Sequence, residues 1–541
     1  MKIDYLEVCS QFKNLNQVRV EFDEDNLMTV IVGSNGSGKS NVLEALVYIF
    51  RNLDLGEEPP FAYKIKYKLG EGEQERWISI DADPARGSLA KQYEITVEEK
   101  SLQELFQSKK LVPLSKVKRN KEGDSEYLPN YLFAYYSGPS DRLENYFKKH
   151  RSDFYRKLLN NKVDLKGEIR PLFYAKPFHS QFVLLAFFLS LQDDKEKAFL
   201  RDQLGIEGLD SVHFVMRKPG WAKKKDELFW GASGVVRDFL NTLYPHVLAP
   251  VKITRKEDTS LTGNNIKNEF FHLFLPDVET LREFAQGLTP DVFFKMLEST
   301  LLSEIISEVS VRVKVVSSEQ PLTFRELSEG EQQLLTVLGL LKFTGGKDSL
   351  FLLDEPDTHL NPAWAVKYLK HLREFVPNHA TSHLLMVTHH PLAIAELEKG
   401  QVQVMWQDDE GQVYARVPEE SPRGMGYGGI LTSDMFGLRT TLDNSTEKLL
   451  RLRKLFTELP QLSEIQRGRL KKIDNAIEKL GFSTAHWDGE YREYLQARKH
   501  VDRDVFEDDT SSSPEIREKR SKKAQEILQR LRMQKQGEEP V

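Results

Sequence analysis

Residues 33–40 read GSNGSGKS and match the pattern GxxxxGK[ST] without a gap. Glycines at Gly33, Gly36 and Gly38 let backbone N–H groups of Ser34, Asn35 and Ser37 converge on an anion with no Cβ in the way. Lys39 supplies a mobile cation for β- and γ-phosphates, and the Ser40 hydroxyl is a hard oxygen ligand for Mg²⁺. Residues 349–356 read SLFLLDEP. An apolar strand ending in two carboxylates places Asp354 to serve a metal and Glu355 to orient or deprotonate a water. One carboxylate for each task suffices, because phosphoryl transfer is mostly positioning and charge neutralisation.

Two further segments carry polar groups at element ends. In FRELSEGEQQLL (324–335), Ser328 is spaced to cap a helix with Glu331 three residues on. Ser328 and Gly330 at a helix N-terminus form a second anion site. In LLMVTHHP (384–391) an apolar strand runs into histidine, and His389 can donate a hydrogen bond to a terminal phosphate.

The elements that must position these groups are legible around them. Met28 to Val32 is a short β-branched run, as in a strand covered on both faces, and Asn41 to Phe50 has helical apolar spacing. Runs at 64–68, 77–80 and 93–97, separated by turn residues, predict an antiparallel meander. Lys109 to Asp124 reads as a polar loop, Tyr131 to Tyr136 as a buried strand, and 402–417 as a hairpin around Asp408 to Gly411. Residues 141–310 read as mostly helical, and the chain after Thr441 as charged helix.

The 541 residues include 40% apolar and 29% charged types, normal for a globular chain, and the net charge is −6. Contact with nucleic acid must therefore come from local basic patches. Cys9 is the single cysteine, which excludes an internal disulfide and fits a cytoplasmic setting. The longest apolar run, Phe182 to Leu191, is far short of the roughly 20 residues of a membrane span.

The order GSNGSGKS, LSEGEQ, FLLDEP, THHP resembles the ABC-type ATPase heads of the SMC, RecF and OLD-like group. LSEGEQ resembles the LSGGQ signature of that superfamily. Asp357 to Asn361 (DTHLN) resembles its D-loop, with asparagine where aspartate is usual. Phe12-Lys13-Asn14 resembles the element lying near adenine and ribose, which makes Lys13 a nucleotide-contacting candidate. The resemblance implies an α/β fold, an ABC-type ATPase head with a parallel P-loop sheet and an antiparallel β subdomain, an inserted helical arm and a helical C-terminal region. The expected division is 1–140 and 311–440 for the two halves of the head, 141–310 for the arm and 441–541 for partner or nucleic-acid contacts. It further implies ATP and Mg²⁺, with His389 as switch histidine, and Gln181 as candidate for the glutamine that senses the metal beside Ser40 and Asp354. The signature of one copy would close over ATP held by a second, so the chain would form a homodimer or higher oligomer.

Within that group, YYSGPSDR at 135–142, DEPDTHLNP at 354–362 and LTSDMFGL at 431–438 resemble the PtuA ATPases of Septu anti-phage systems. This family resemblance implies a partner HNH endonuclease of PtuB type and, in retron-linked members, a reverse transcriptase with its msDNA. Alternatives are an SMC- or RecF-like DNA-repair ATPase, and an OLD-type ATPase-nuclease using Asp502 and Asp504. The leucines of 447–459 suit a core or dimer face, and the basic run at 515–535 suits phosphate binding or a solvated face.

Overall fold

Three apolar runs, ending at Gly33, Asp354 and Val387, form adjacent strands of one sheet. The structure, a computed structural model, describes residues 1–99, 108–120, 125–160, 162–163, 171–190, 194–222, 228–258, 265–459, 461–481, 494 and 521–531. The sheet order is Val413–Arg416, Val402–Gln407, Met28–Gly33, Ser382–Val387, Ser349–Asp354, Tyr131–Tyr136, Leu172–Tyr174. All neighbours pair in parallel except the edge strand Val413–Arg416, which closes the expected hairpin.

Alternate residues of these strands enter different cores. Met28, Val30, Val32, Phe351, Leu353, Leu384 and Met386 face one side; Ile31, Leu350, Leu352, Leu385 and Val387 face the other. A strand buried on both faces reads as a continuous apolar run, which is how these were legible.

The second core holds the helix Lys39–Leu55 and a six-stranded antiparallel sheet, ordered Val18–Glu21, Lys2–Val8, Tyr63–Leu69, Arg76–Ala82, Tyr93–Glu99, Ser108–Leu111. The meander is its middle. Lys109 to Asp124, expected as a loop, instead contributes to that last strand and forms the short helix Leu114–Val117 over its described part.

The first core holds the helix His179–Leu189, buried on nearly every side, with Glu329–Thr344 and Pro362–Phe375. It also holds a five-stranded antiparallel sheet, ordered Leu248–Asp258, Asn265–Leu275, Ile206–Arg217, Ile306–Val315, Ser318–Thr323. This corrects the reading of 141–310 as a mostly helical arm: the stretch carries helices and most of this sheet. Register shifts at Ile206/Gly208, Leu209/Ser211 and Val215/Met216 break the two-residue alternation that marks a strand.

The chain divides into Met1–Leu438 and Arg439–Val541. In the second unit, Asn444–Thr457 and Glu464–Lys479 pair as a hairpin, capped by Asp443 and Ser463 and joined by Arg453 Nε to Asp474 at 2.8 Å. Leu452, Leu455 and Leu459 are exposed, so the expected leucine face is not a core within the described part of this unit. Asp502 and Asp504 lie outside the described residues, as do 515–520 and 532–535 of the basic run. Among the described residues no helix is long and apolar enough to cross a membrane.

Candidate nucleotide site

The parallel register brings the polar strand ends together. Val387 pairs with Asp354 on one side and with Ile31 on the other. One residue later, the Thr388 N–H donates to Ile31 O at 3.2 Å and the Glu355 N–H to Val387 O at 2.9 Å. Neighbouring strands lie about 4.8 Å apart, so the loop at 33–40, His389 and the Asp354–Glu355 pair share one edge of the sheet. In open α/β sheets that carboxyl edge is where ligands bind.

Gly33 has φ +139°, and a Cβ there would stand 1.9 Å from Met405 O, so glycine is obligatory where the loop leaves its strand. Gly38 has φ +92° and caps the helix Lys39–Leu55, whose positive end faces the loop. Lys39 Nζ donates to Gly33 O at 3.0 Å and Ser34 O at 2.7 Å. Burial lowers its ammonium to about pKa 8 against the pull of Glu355 and Asp354. The Ser37 hydroxyl is buried with no hydrogen-bond partner among the described residues. A lysine folded onto loop carbonyls and an orphaned hydroxyl are what a phosphate group would re-pair.

Asp354 is buried, with one oxygen accepting from Ser40 Oγ at 2.9 Å and the other from Arg142 at 3.0 Å. Desolvation raises this carboxyl to about 6, with Ser40 and Arg142 opposing. A hydroxyl and one carboxylate fit Mg²⁺, which usually keeps waters and takes its other ligands from substrate phosphates.

Glu355 follows in a left-handed conformation, φ +52°, rare for a side-chain-bearing residue and costing about 1–3 kcal/mol. Its carbonyl accepts from Thr358 Oγ1 at 2.8 Å, holding the turn. Its carboxylate meets His389 Nε2 at 3.3 Å. Burial, and then Lys39, lower the His389 pKa, which favours the neutral ring. Asp357, buried, accepts from Thr388 Oγ1 at 2.6 Å and is raised to about 6 by desolvation.

Ser328 caps the helix Glu329–Thr344 as expected. The Glu331 N–H donates to Ser328 Oγ at 3.3 Å, and the Ser328 N–H and hydroxyl donate to Glu331 at 2.7 and 2.8 Å. These bonds stay within one helical turn and leave Ser328 exposed. Gly330 lies against the segment after Glu355: a Cβ there would sit 2.6 Å from His359 O. Gln333 accepts from the His359 N–H at 3.1 Å. Asn361 caps the following helix, accepting from the Trp364 N–H at 3.0 Å.

Lys13, at φ +55°, pairs with Glu44, which also accepts from Tyr146 Oη at 2.8 Å. Gln181 lies in the buried helix His179–Leu189 with its amide oxygen unpartnered. The side chains bonded to Asp354 are Ser40 and Arg142.

Sequence reasoning assigned no role to Arg142, Asn14 or Gln333. Arg142 guards Asp354 from the turn after Tyr131–Tyr136, the strand next to the acidic one. Asn14 Nδ2 donates to Gly36 O at 2.7 Å and its oxygen accepts from Asn41 at 2.7 Å, bracing the loop. The signal for Arg142 was a cation a few residues past a buried strand; Asn14 and Gln333 lay inside motifs read for other residues, the Phe12-Lys13-Asn14 element and the LSEGEQQLL signature.

The family described as "AAA domain, putative AbiEii toxin, Type IV TA system" matches residues 28–395. The Septu protein PtuA of Bacillus mycoides (strain KBAB4) is 26% identical over 232 residues, covering 40% of this chain and 32% of that protein. The chain thus matches about a third of the length of this curated relative. A solved structure, Stu0660 of Streptococcus thermophilus, aligns over 83% of this chain and 99% of its own at 9% identity and a TM-score of 0.26, too loose a superposition to carry an argument.

Proposed function

The chain belongs to this family of AAA domains and is a P-loop ATPase, and from that premise we propose an ABC-type ATPase that closes as a homodimer on ATP and controls a separate nuclease in anti-phage defence. The convergence of Lys39, Ser40, Asp354, Glu355 and His389 on one sheet edge carries the ATPase part of this reading. The N–H groups of residues 33–40 and the Lys39 ammonium would hold the phosphates, with Lys13 near the nucleoside. Ser40 and Asp354 would hold Mg²⁺, and Gln181, with its orphaned buried oxygen, is our candidate for a further ligand. The metal supplies charge neutralisation at the transferring phosphoryl group.

Glu355, fixed by its left-handed turn, orients a water and accepts its proton. Neutral His389, 3.3 Å from Glu355, donates toward the terminal phosphate. Ser328, exposed at the N-terminus of a 16-residue helix, completes the pocket of a second copy. Each charge-assisted hydrogen bond contributes roughly 1.5–3 kcal/mol, so a few across two sites favour closure. Loss of the terminal phosphate weakens them.

The similarity to PtuA supports the defence setting. An HNH endonuclease of PtuB type is the proposed partner, and a reverse transcriptase with msDNA is added if the chain serves a retron. The ATPase reading is tested by titrating the full chain with ATP and measuring phosphate release. Lys39→Ala is expected to lose ATP binding at least tenfold. Glu355→Gln is expected to bind like wild type and release no phosphate. Wild-type hydrolysis in Glu355→Gln, or undiminished affinity in Lys39→Ala, would overturn the assignment.

A further inference from the structure

The five-stranded antiparallel sheet covers the core with one face; the other is open only in part, since Phe270, Val215 and Ser211 on it are buried while Phe274 and the outer strand are exposed. Val212, Phe214, Met216, Phe271 and Leu273 point inward and are buried. Registers place the neighbours of these residues on the outer face. His213 pairs with Phe274 and Ser310; Val215 pairs with His272 and Glu308; Val251 pairs with His272, and Ile253 with Phe270.

Two features of that face stand out. The first is an open row of rings and aliphatic groups. His213 and His272 stack at 5.1 Å, joined by a 3.0 Å contact between Nε2 and Nδ1, and Phe274 lies 6.4 Å from His213. Leu248, Val251, Ile253 and Phe274 are 36–59% exposed, unusual for large apolar groups placed together. The second is charge. Arg217, Arg255 and Arg312 are exposed on the same face by register, with Arg255 4.2 Å over the Phe270 ring. Acids share that face by register: Glu207, Asp210 beside the Ser211 that pairs with Arg312, and Glu308, which Arg325 meets at 3.1 Å. Lys252 and Lys256 lie exposed on the other side of the same outer strand. Cations and acids thus stand side by side on this face, and the attraction for a phosphate is local to each guanidinium.

Flat rings with arginines spaced along about 20 Å of strand match one chemistry: bases that stack, on a backbone of phosphates. A duplex hides its base faces, and an acidic peptide gives the rings nothing to stack. We propose that this outer face, centred on His213, His272 and Phe274 with Arg217, Arg255 and Arg312 around them, binds single-stranded nucleic acid. The site is separate from the carboxyl edge of the P-loop sheet and does not depend on the nucleotide reading.

The test is fluorescence anisotropy of the full chain, without ATP, against a labelled 20-nucleotide single strand, run as RNA and as DNA, with the matching duplex alongside. Wild type is expected to bind a single strand more tightly than the duplex. Phe274→Ala is expected to weaken binding roughly tenfold by removing a stacking surface. The triple change Arg217→Gln, Arg255→Gln, Arg312→Gln is expected to weaken it further and to flatten the salt dependence by about 2 in log–log slope. These groups are exposed, and unchanged thermal melting checks that the fold persists. The proposal is overturned if wild type binds neither single strand, if the duplex binds as well, or if both variants bind like wild type.

Discussion

Asp354 and Asp357 are carboxylates held in the interior, and both are raised from the usual range to about 6, first by desolvation. Metal-dependent ATP binding should therefore fall as pH drops through about 6, where Asp354 takes a proton. Arg142 opposes that rise, so Arg142→Ala should move the acid midpoint of Mg·ATP binding upward; an unmoved midpoint contradicts the role given to Arg142. For Asp357 the consequence is stability. A carboxyl raised in the fold favours folding below its unfolded value, and that contribution is lost as pH climbs through 6. Keeping Asp357 ionised at neutral pH thus costs up to about 3 kcal/mol. Asp357→Asn, which still accepts from Thr388, should melt higher than wild type at pH 7.5, with the gain vanishing toward pH 4. A gain independent of pH would contradict this. At this scale the sequence was most informative where chemistry sits in contiguous motifs, as at 33–40 and 354–355. Arg142 pairs with Asp354 across 212 residues, and no local pattern records that.

The helix carrying Ser328 crosses the buried helix His179–Leu189 at Gly339, where a Cβ would stand 1.9 Å from Val183 Cγ1. Valine is stiff at χ1 and yields poorly. Alanine in a helix gains up to about 1 kcal/mol over glycine, while overpacking costs typically about 1–3 kcal/mol. Gly339→Ala should therefore destabilise the chain by about 1–2 kcal/mol in denaturant unfolding, and Val183→Ala should recover part of that in the double variant. Equal or higher stability of Gly339→Ala alone would contradict the close crossing. Elements were legible where burial imposes a pattern. The P-loop strand announced itself because both faces are covered. The strand Leu248–Asp258 did not: residues 248–256 are all exposed, so there is no inward period to read. In Ile206–Arg217, two strands away, bulges broke the alternation instead.

At the scale of the molecule, the proposed nucleotide edge is accompanied by an exposed Ser328, the serine proposed for the signature role. Among the described residues Ser328 bonds within its own helical turn, and Gly330 and Gln333 tie that helix to the segment after Glu355. A shift at Glu355 is thereby linked to the surface that would meet a second copy. The most direct measurement is the mass in solution of Glu355→Gln, with and without Mg·ATP, beside Glu355→Gln carrying Ser328→Arg. The account predicts that Mg·ATP doubles the mass of the first protein and leaves the second unchanged. A mass indifferent to ATP, or a doubling that survives Ser328→Arg, would contradict it.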